Sequence, residues 1–185
     1  FRSAAISAFC TLKTKLIEAP VLQFADDTRP FVVETDASTN GLGAILSQVQ
    51  DDGMKAVVAY ASRSLRPAER NDSNYSSFKL ELLAVRWAVC QAFKDYLMGN
   101  VCTIYTDHNP LRYLDSANLS ATELRWVQQL SAFNYRLEYR PGARNQAPDA
   151  LSRLPKKGVS ASNSTQDDPM LVLSSNAVQA ICGPV

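Results

Sequence analysis

The chain has 185 residues, about one domain on the usual scale of 100–200 residues. Its 19 Lys plus Arg against 18 Asp plus Glu leave a formal net charge of +1, which excludes both a basic nucleic-acid tail and an acidic disordered chain. The apolar set makes up 46% and includes 2 Trp, 7 Tyr and 7 Phe, enough for a globular core, and no apolar run approaches the ~18 residues of a membrane span.

The chain opens on Phe1-Arg2 without a signal-peptide pattern, as expected of a piece cut from a longer protein. Cys10, Cys90, Cys102 and Cys182 form no CxxC pair, and His108 is the only histidine, so a Cys/His zinc site is excluded. Four reduced thiols fit an intracellular compartment.

In chain order, Ala4 to Ala19 reads as a helix stopped by Pro20. Phe31 to Asp36 reads as a strand, Ala37 to Gly41 as a turn and Gly43 to Gln48 as a second strand. Asp51-Asp52-Gly53 turns the chain into a third strand at Ala56 to Tyr60, and Arg63 to Asn74 is a polar loop. Ser76 to Met98 is the longest predicted helix, its buried stripe marked by Phe78, Leu82, Val85, Val89, Phe93 and Tyr96, with Gly99 suited to end it. Val101 to Thr106 is a fourth strand and Asn109 to Leu114 a short helix. Ser120-Ala-Thr-Glu123 is a capping box that opens a helix running to about Ser131. Tyr135 to Arg140 is a fifth strand ended by Pro141-Gly142, and Ala147 to Leu154 is a last short helix.

This order predicts an α/β fold: three antiparallel strands, then two more reached by helical crossovers, making a mixed five-stranded sheet with helices on both faces. The folded unit covers residues 20–155, behind a leading helix at 1–19. The Lys-, Ser-, Asn- and Asp-rich stretch after Pro155 places a flexible linker at 156–185, whose short apolar runs could dock on the domain or continue into a neighbour.

Asp36 and Asp107 each follow an apolar run and a Thr at the end of a predicted strand. On adjacent strands they lie about 5 Å apart. Glu81 shares the buried helix face of Val85 and Ala88, where an unpaired carboxylate is costly. Asp149 opens the last helix, where free N–H groups favour an anion. Four acids converging at one sheet edge repel one another and need cations. An all-oxygen donor set suits Mg²⁺, with Mn²⁺ as substitute, and two such ions about 3.5–4 Å apart are the arrangement that hydrolyses phosphodiesters.

These pieces occur in an ordered series: Leu16…Ala19-Pro20-Val21-Leu22, Thr35-Asp36-Ala37-Ser38 with Gly41-Leu-Gly-Ala44, Tyr60-Ala-Ser-Arg63-Ser-Leu65, Glu81-Leu-Leu-Ala-Val85, Thr106-Asp107-His108 with Pro110-Leu111, Arg125-Trp126, Tyr139-Arg-Pro-Gly142 with Asn145, and Asp149-Ala-Leu-Ser-Arg153. Together they resemble the ribonuclease H domain of Ty3/gypsy-type long-terminal-repeat retrotransposon reverse transcriptases across nearly all of residues 9–154. The resemblance implies an RNase H-like fold and Mg²⁺-dependent endonucleolytic hydrolysis of the RNA strand of RNA–DNA hybrids during reverse transcription. It places the four catalytic, metal-holding acids on Asp36, Glu81, Asp107 and Asp149. It also implies a Pol polyprotein, with polymerase and connection domains upstream and integrase downstream, located in the cytoplasm within virus-like particles or in the nucleus.

The chain departs from the family pattern in three places. No His occurs between Pro141 and Pro148, where cellular and some retroviral relatives carry one and many gypsy-type elements do not, which implies slower turnover rather than inactivity. Phe78-Lys79-Leu80 replaces acidic and polar residues before Glu81, and Pro148 precedes Asp149. Substrate contacts are expected from Ser38, Asn40, Arg63, Arg112, Arg144 and Arg153, with Arg66, Lys79 and Arg125 as further phosphate partners. His108 follows Asp107 directly and is expected to be structural or beside the substrate rather than a base. An integrase-like core is disfavoured by the fourth acid in Asp149-Ala-Leu-Ser-Arg153. The alternative is an inactive or domesticated copy acting as a structural, nucleic-acid-binding or protein-binding module.

Overall fold

The computed structural model describes residues 2–17, 22–71, 73, 75–108, 119–142, 145–153 and 171–174. A leading helix, α1 (Arg2–Ile17), precedes three consecutive strands: β1 (Phe31–Ala37), β2 (Gly41–Val49) and β3 (Lys55–Ser64). They form an antiparallel meander, as the alternating β-branched runs and the Gly53 turn at φ 79° require. A single 3₁₀ turn at Pro67–Arg70 leads to α2 (Ser77–Trp87), a π-helical turn at Ala88–Ala92 and the short α3 (Lys94–Leu97). Then come β4 (Val101–Thr106), α4 (Ala121–Leu130), β5 (Asn134–Tyr139), α5 (Gln146–Ser152) and β6 (Leu171–Ser174).

The sheet order is β5-β4-β1-β2-β3-β6. Strand β4 pairs parallel with β1, and β5 pairs parallel with β4, so the five expected strands lie in the expected mixed arrangement. The sixth strand comes from the segment read as linker. Leu171–Ser174 pairs antiparallel with Ala59–Ser62 of β3, a short β-forming run adding to an open edge. The remainder of the stretch 156–185, and the helix expected at 109–114, lie outside the described residues.

The core lies between the sheet and α2, with Phe31, Val33, Leu42, Ala44, Leu46 and Ile104 facing Leu82, Val85, Trp87 and Val89. Each large aliphatic side chain fully buried here contributes about 1.5–3 kcal/mol. The helix expected as one element from 76 to 98 is broken. Four of its fully buried residues, Val85, Val89, Phe93 and Leu97, form a row spaced by four. On an ordinary α-helix such spacing drifts about 40° per step. The wide turn at Ala88–Ala92, followed by Phe93 at φ −117° and ψ 18°, keeps the row on the sheet.

The predicted capping box of α4 is present: the Ser120 hydroxyl accepts from the Glu123 N–H, and the Glu123 carboxylate accepts from the Ser120 N–H at 2.7 Å. Helix α4 lies on α2, where Tyr75 and Trp126 rings meet at 6.4 Å and Arg86 donates to Gln129 at 2.8 Å. Helix α5 packs on β1 and β2. Gly43 points away from its core neighbours Leu42 and Ala44, and α5 sits on that side.

Candidate active site

Asp36 is the penultimate residue of β1, opposite Gly43 of β2, and is 5% exposed. Asp107 follows the last residue of β4. Because β1 and β4 run parallel with Glu34 opposite Tyr105, the two aspartates leave the sheet at the same end. Glu81 belongs to the second turn of α2 and is buried. One carboxylate oxygen from each of Asp36, Glu81 and Asp107 lies within 4.8 Å of the others.

Burial and mutual repulsion govern the electrostatics. Burial, followed by the charges of Asp107 and Asp36, pushes the Glu81 carboxyl up to about 9, against one hydrogen bond from the Ala37 N–H. Burial also pushes Asp36 up to about 6, helped by Asp107 and Asp149 and opposed by a hydrogen bond from Ser152. Oε2 of Glu81 is buried without a hydrogen-bond partner. Three carboxylates with one orphaned oxygen form a donor set that a hard divalent cation would satisfy, and among the described residues no sulfur or imidazole joins it.

Asp149, the fourth predicted acid, is near enough to raise Asp36 but stands outside this close group. Its Oδ1 accepts from Nε and Nη2 of Arg153, both at 2.7 Å. It does not open its helix as expected. α5 starts at Gln146, with Asn145 at the N-cap, so Asp149 closes the first turn. Pro148 before it falls at the third helical position, where no intrahelical N–H bond is lost.

The expected substrate residues divide. Ser38 and Asn40 lie in the turn between β1 and β2 at the site end of the sheet. Asn40 is exposed, whereas the Ser38 hydroxyl donates to the Ser152 carbonyl at 2.6 Å. Arg63 is turned inward: it forms a two-pronged ion pair with buried Glu69 at 2.7 and 3.1 Å and lies over the Trp87 ring. These contacts tie its guanidinium into the fold. Arg153 is exposed but paired with Asp149. Arg66 and Arg125 are exposed, and Lys79 lies 4.5 Å from the Tyr75 ring centroid. Arg112 and Arg144 lie outside the described residues. His108 packs edge-on to Phe78 with ring centroids 5.8 Å apart.

Among the described residues, four that bear on the site are not expected from the sequence as such. The Ser152 hydroxyl donates to Oδ2 of Asp36 at 2.5 Å. Asn145, 1% exposed, donates from Nδ2 to the Thr35 carbonyl at 2.9 Å, tying the start of α5 to the end of β1. A Cβ on Gly43 would meet the Pro148 carbonyl at 2.4 Å, and one on Gly142 would meet Oδ2 of Asp107 at 3.1 Å. Their only signal was membership of the motifs Asp149-Ala-Leu-Ser-Arg153, Gly41-Leu-Gly43 and Pro141-Gly142 with Asn145.

A mixed sheet with acids at the ends of two parallel neighbours and a third on the first crossover helix defines an RNase H-like domain. A model of the RNase H-like domain found in reverse transcriptase matches residues 1–104. The chain belongs to this family, in the form carried by gypsy-type retrotransposon Pol polyproteins. It is 39% identical to the retrovirus-related Pol polyprotein from transposon opus of Drosophila melanogaster over 82% of this chain and 15% of that protein. It is 39% identical to that of transposon 297 (87% of this chain, 14% of that protein) and 35% identical to that of transposon gypsy (83% and 14%), both also from Drosophila melanogaster. The chain thus spans about one seventh of these relatives. Among solved structures, a foamy viral protease–reverse transcriptase in complex with double-stranded DNA matches with a TM-score of 0.52 at 22% identity, over 64% of this chain and 25% of that one. A second such complex, labelled dRH, matches with 0.56 at 18% identity, over 75% and 26%. Both likenesses concern the fold. Among the described residues, no helix is long and apolar enough to cross a membrane.

Proposed function

We propose that the domain is a metal-dependent endonuclease that hydrolyses the RNA strand of RNA–DNA hybrids within a Pol polyprotein, with polymerase and connection domains upstream and integrase downstream. The observation that carries this reading is the meeting of Asp36, Glu81 and Asp107 from three separate elements within 4.8 Å, with a buried oxygen left unpaired.

Asp36, Glu81 and Asp107, with Asp149 as the fourth acid, would hold two Mg²⁺ or Mn²⁺ ions. Bound there, such ions activate the attacking water and stabilise the charge that develops on the phosphodiester. The protein's own groups perform the rest. The sheet ends hold two acids at a fixed separation, and α2 presents the third from the buried side, so no reorganisation is needed when substrate arrives. Arg153 holds the Asp149 carboxylate in place between turnovers. The Ser38–Asn40 turn offers the exposed Asn40 amide at the mouth of the site, suited to a groove wall and its 2′-hydroxyls rather than to base edges. With a net charge of +1, the isolated domain binds weakly and loses affinity steeply with salt. Upstream domains supply most of the grip through effective concentration.

The test is cleavage of a 5′-labelled RNA–DNA hybrid beside duplex DNA and duplex RNA, with Mg²⁺, Mn²⁺ or chelator. Hybrid-only, metal-dependent cutting is expected, with Asp36→Asn reducing the rate by at least about a thousandfold, as loss of a metal-holding acid costs several kcal/mol of barrier. An intact hybrid after incubation with folded wild-type protein and either metal would transfer the assignment to a binding module that does not cut.

A further inference from the structure

We propose that Ser152 is a positioning residue for Asp36, and that its hydroxyl sets the affinity of the acid cluster for a divalent cation. The inference rests on the metal-dependent reading above.

Ser152 is fully buried, and its hydroxyl donates to Oδ2 of Asp36 at 2.5 Å, a residue 116 positions away in the chain. The same oxygen lies 2.9 Å from the Asp149 carbonyl, the ordinary back-contact of a helical serine. A hydroxyl has one proton, and the shorter contact to a carboxylate is the stronger claim on it. A carboxyl group turns freely about its last torsion, which has no sharp rotamers. Held by Ser152, Asp36 keeps one orientation toward Glu81 and Asp107 before any cation arrives.

Ser152 is itself held. Its carbonyl accepts from the Ser38 hydroxyl at 2.6 Å, and Ser38 Oγ in turn accepts from the N–H groups of Gly41 at 3.1 Å and Asn40 at 3.2 Å. Gly43, opposite Asp36, leaves room for this approach, since a Cβ there would lie 2.7 Å from the Ser152 nitrogen. The two serines therefore latch α5 to the β1–β2 turn and hand a donor to the acid at the end of β1. Partners of this kind, which orient a metal-holding group without touching the metal, typically change metal affinity by about 10–100-fold.

The experiment titrates the full chain with MnCl₂ and follows the rise in unfolding temperature by circular dichroism, for wild type, Ser152→Ala, Ser38→Ala and Asp36→Asn. Ser152→Ala is expected to keep the wild-type spectrum and to need about 10–100-fold more Mn²⁺ for the same rise. Ser38→Ala is expected to shift the curve in the same direction by less, and Asp36→Asn to abolish the response. Should Ser152→Ala fail to fold, the Ser38→Ala curve decides by itself. Wild-type Mn²⁺ affinity in Ser152→Ala, even with lowered metal-free stability, would reduce the serine to a structural role and overturn the proposal alone. A flat wild-type curve would overturn the metal-site reading and this proposal with it.

Discussion

A carboxyl buried beside two other carboxyls resists ionisation, and Glu81 is the extreme case. Its group rises to about 9 and that of Asp36 to about 6, so between the ordinary carboxylate range and pH 9 the folded chain keeps protons that the unfolded chain has released. The sign follows. The stability these groups contribute is fully present below about pH 4 and is lost as pH rises, for Asp36 by about pH 6 and for Glu81 by about pH 9. Metal-free protein should therefore unfold at a lower temperature at pH 8 than at pH 5. Glu81→Gln removes the larger part of that slope. It should raise metal-free stability at pH 8 by on the order of a few kcal/mol and change little at pH 5, because the amide needs no proton. Thermal melts in chelator at both pH values check this, and a wild-type melting temperature that climbs from pH 5 to pH 8 would refute the assignment of Glu81 as the buried, protonated member. Mn²⁺ should reverse the wild-type slope and leave Glu81→Gln nearly unaffected, since cation and proton compete for the same oxygens.

At the scale of elements, α5 carries more of the site than its seven residues suggest. A helix so short has no stability of its own and exists by docking. Its seat is Gly43, where an added Cβ would fall 2.4 Å from the Pro148 carbonyl, 2.7 Å from the Ser152 nitrogen and 2.8 Å from the Leu151 Cβ. Two of these are backbone atoms, so Gly43→Ala must displace the helix rather than turn a side chain. The cost should be about 1–3 kcal/mol, with Ser152 and Asp149 both moved away from Asp36. Hydrogen exchange should show lost protection confined to α5, and hybrid cleavage should fall at least about tenfold, as misplacement by a fraction of an ångström allows. Unchanged protection in α5 would mean that the contact is softer than its geometry implies.

The same helix marks the limit of what the sequence discloses. Asp36 and Asp107 were legible because each ends an apolar strand, and Glu81 because it interrupts a buried stripe. The Ser120–Glu123 cap was legible because both partners lie within one turn. Ser152 and Gly43 were not, because their partners lie at distant positions in the chain and neither residue type carries a local pattern. The ion pair of Arg63 was hidden for a related reason. A cation in a polar loop reads as solvated until Glu69 and Trp87 close around it. The break after Trp87 stayed hidden because spacing by four imitates an ordinary helical stripe over two turns and departs from it only over three.

On the scale of the whole molecule, the question is where the sheet ends. Strand β3 is 10 residues long, and without cover its outer edge would be a row of unpaired backbone groups. Among the described residues, two segments from outside the meander cover it. Leu22 forms a parallel bridge to Val57, with the Gln23 N–H donating to the Val57 carbonyl at 2.8 Å, and β6 pairs with Ala59 to Ser62. A chain stopped at 155, where composition places the boundary, would lack the second cover. Since successive N–H groups of a strand point to opposite sides, one of any two adjacent prolines in β6 must remove a bond to β3. Val172→Pro combined with Leu173→Pro should therefore free this edge and leave the acid cluster on β1 and β4, separated from β6 by β3 and β2, untouched. Amides of residues 59–62 that bond to β6 should lose exchange protection, and stability should fall by about 1–2 kcal/mol. Sedimentation velocity should then reveal self-association that grows with concentration, as open edges pair with one another. Amides that stay protected in the double variant, in a chain that stays monomeric, would place β6 outside the cooperative fold and return the boundary to the end of α5.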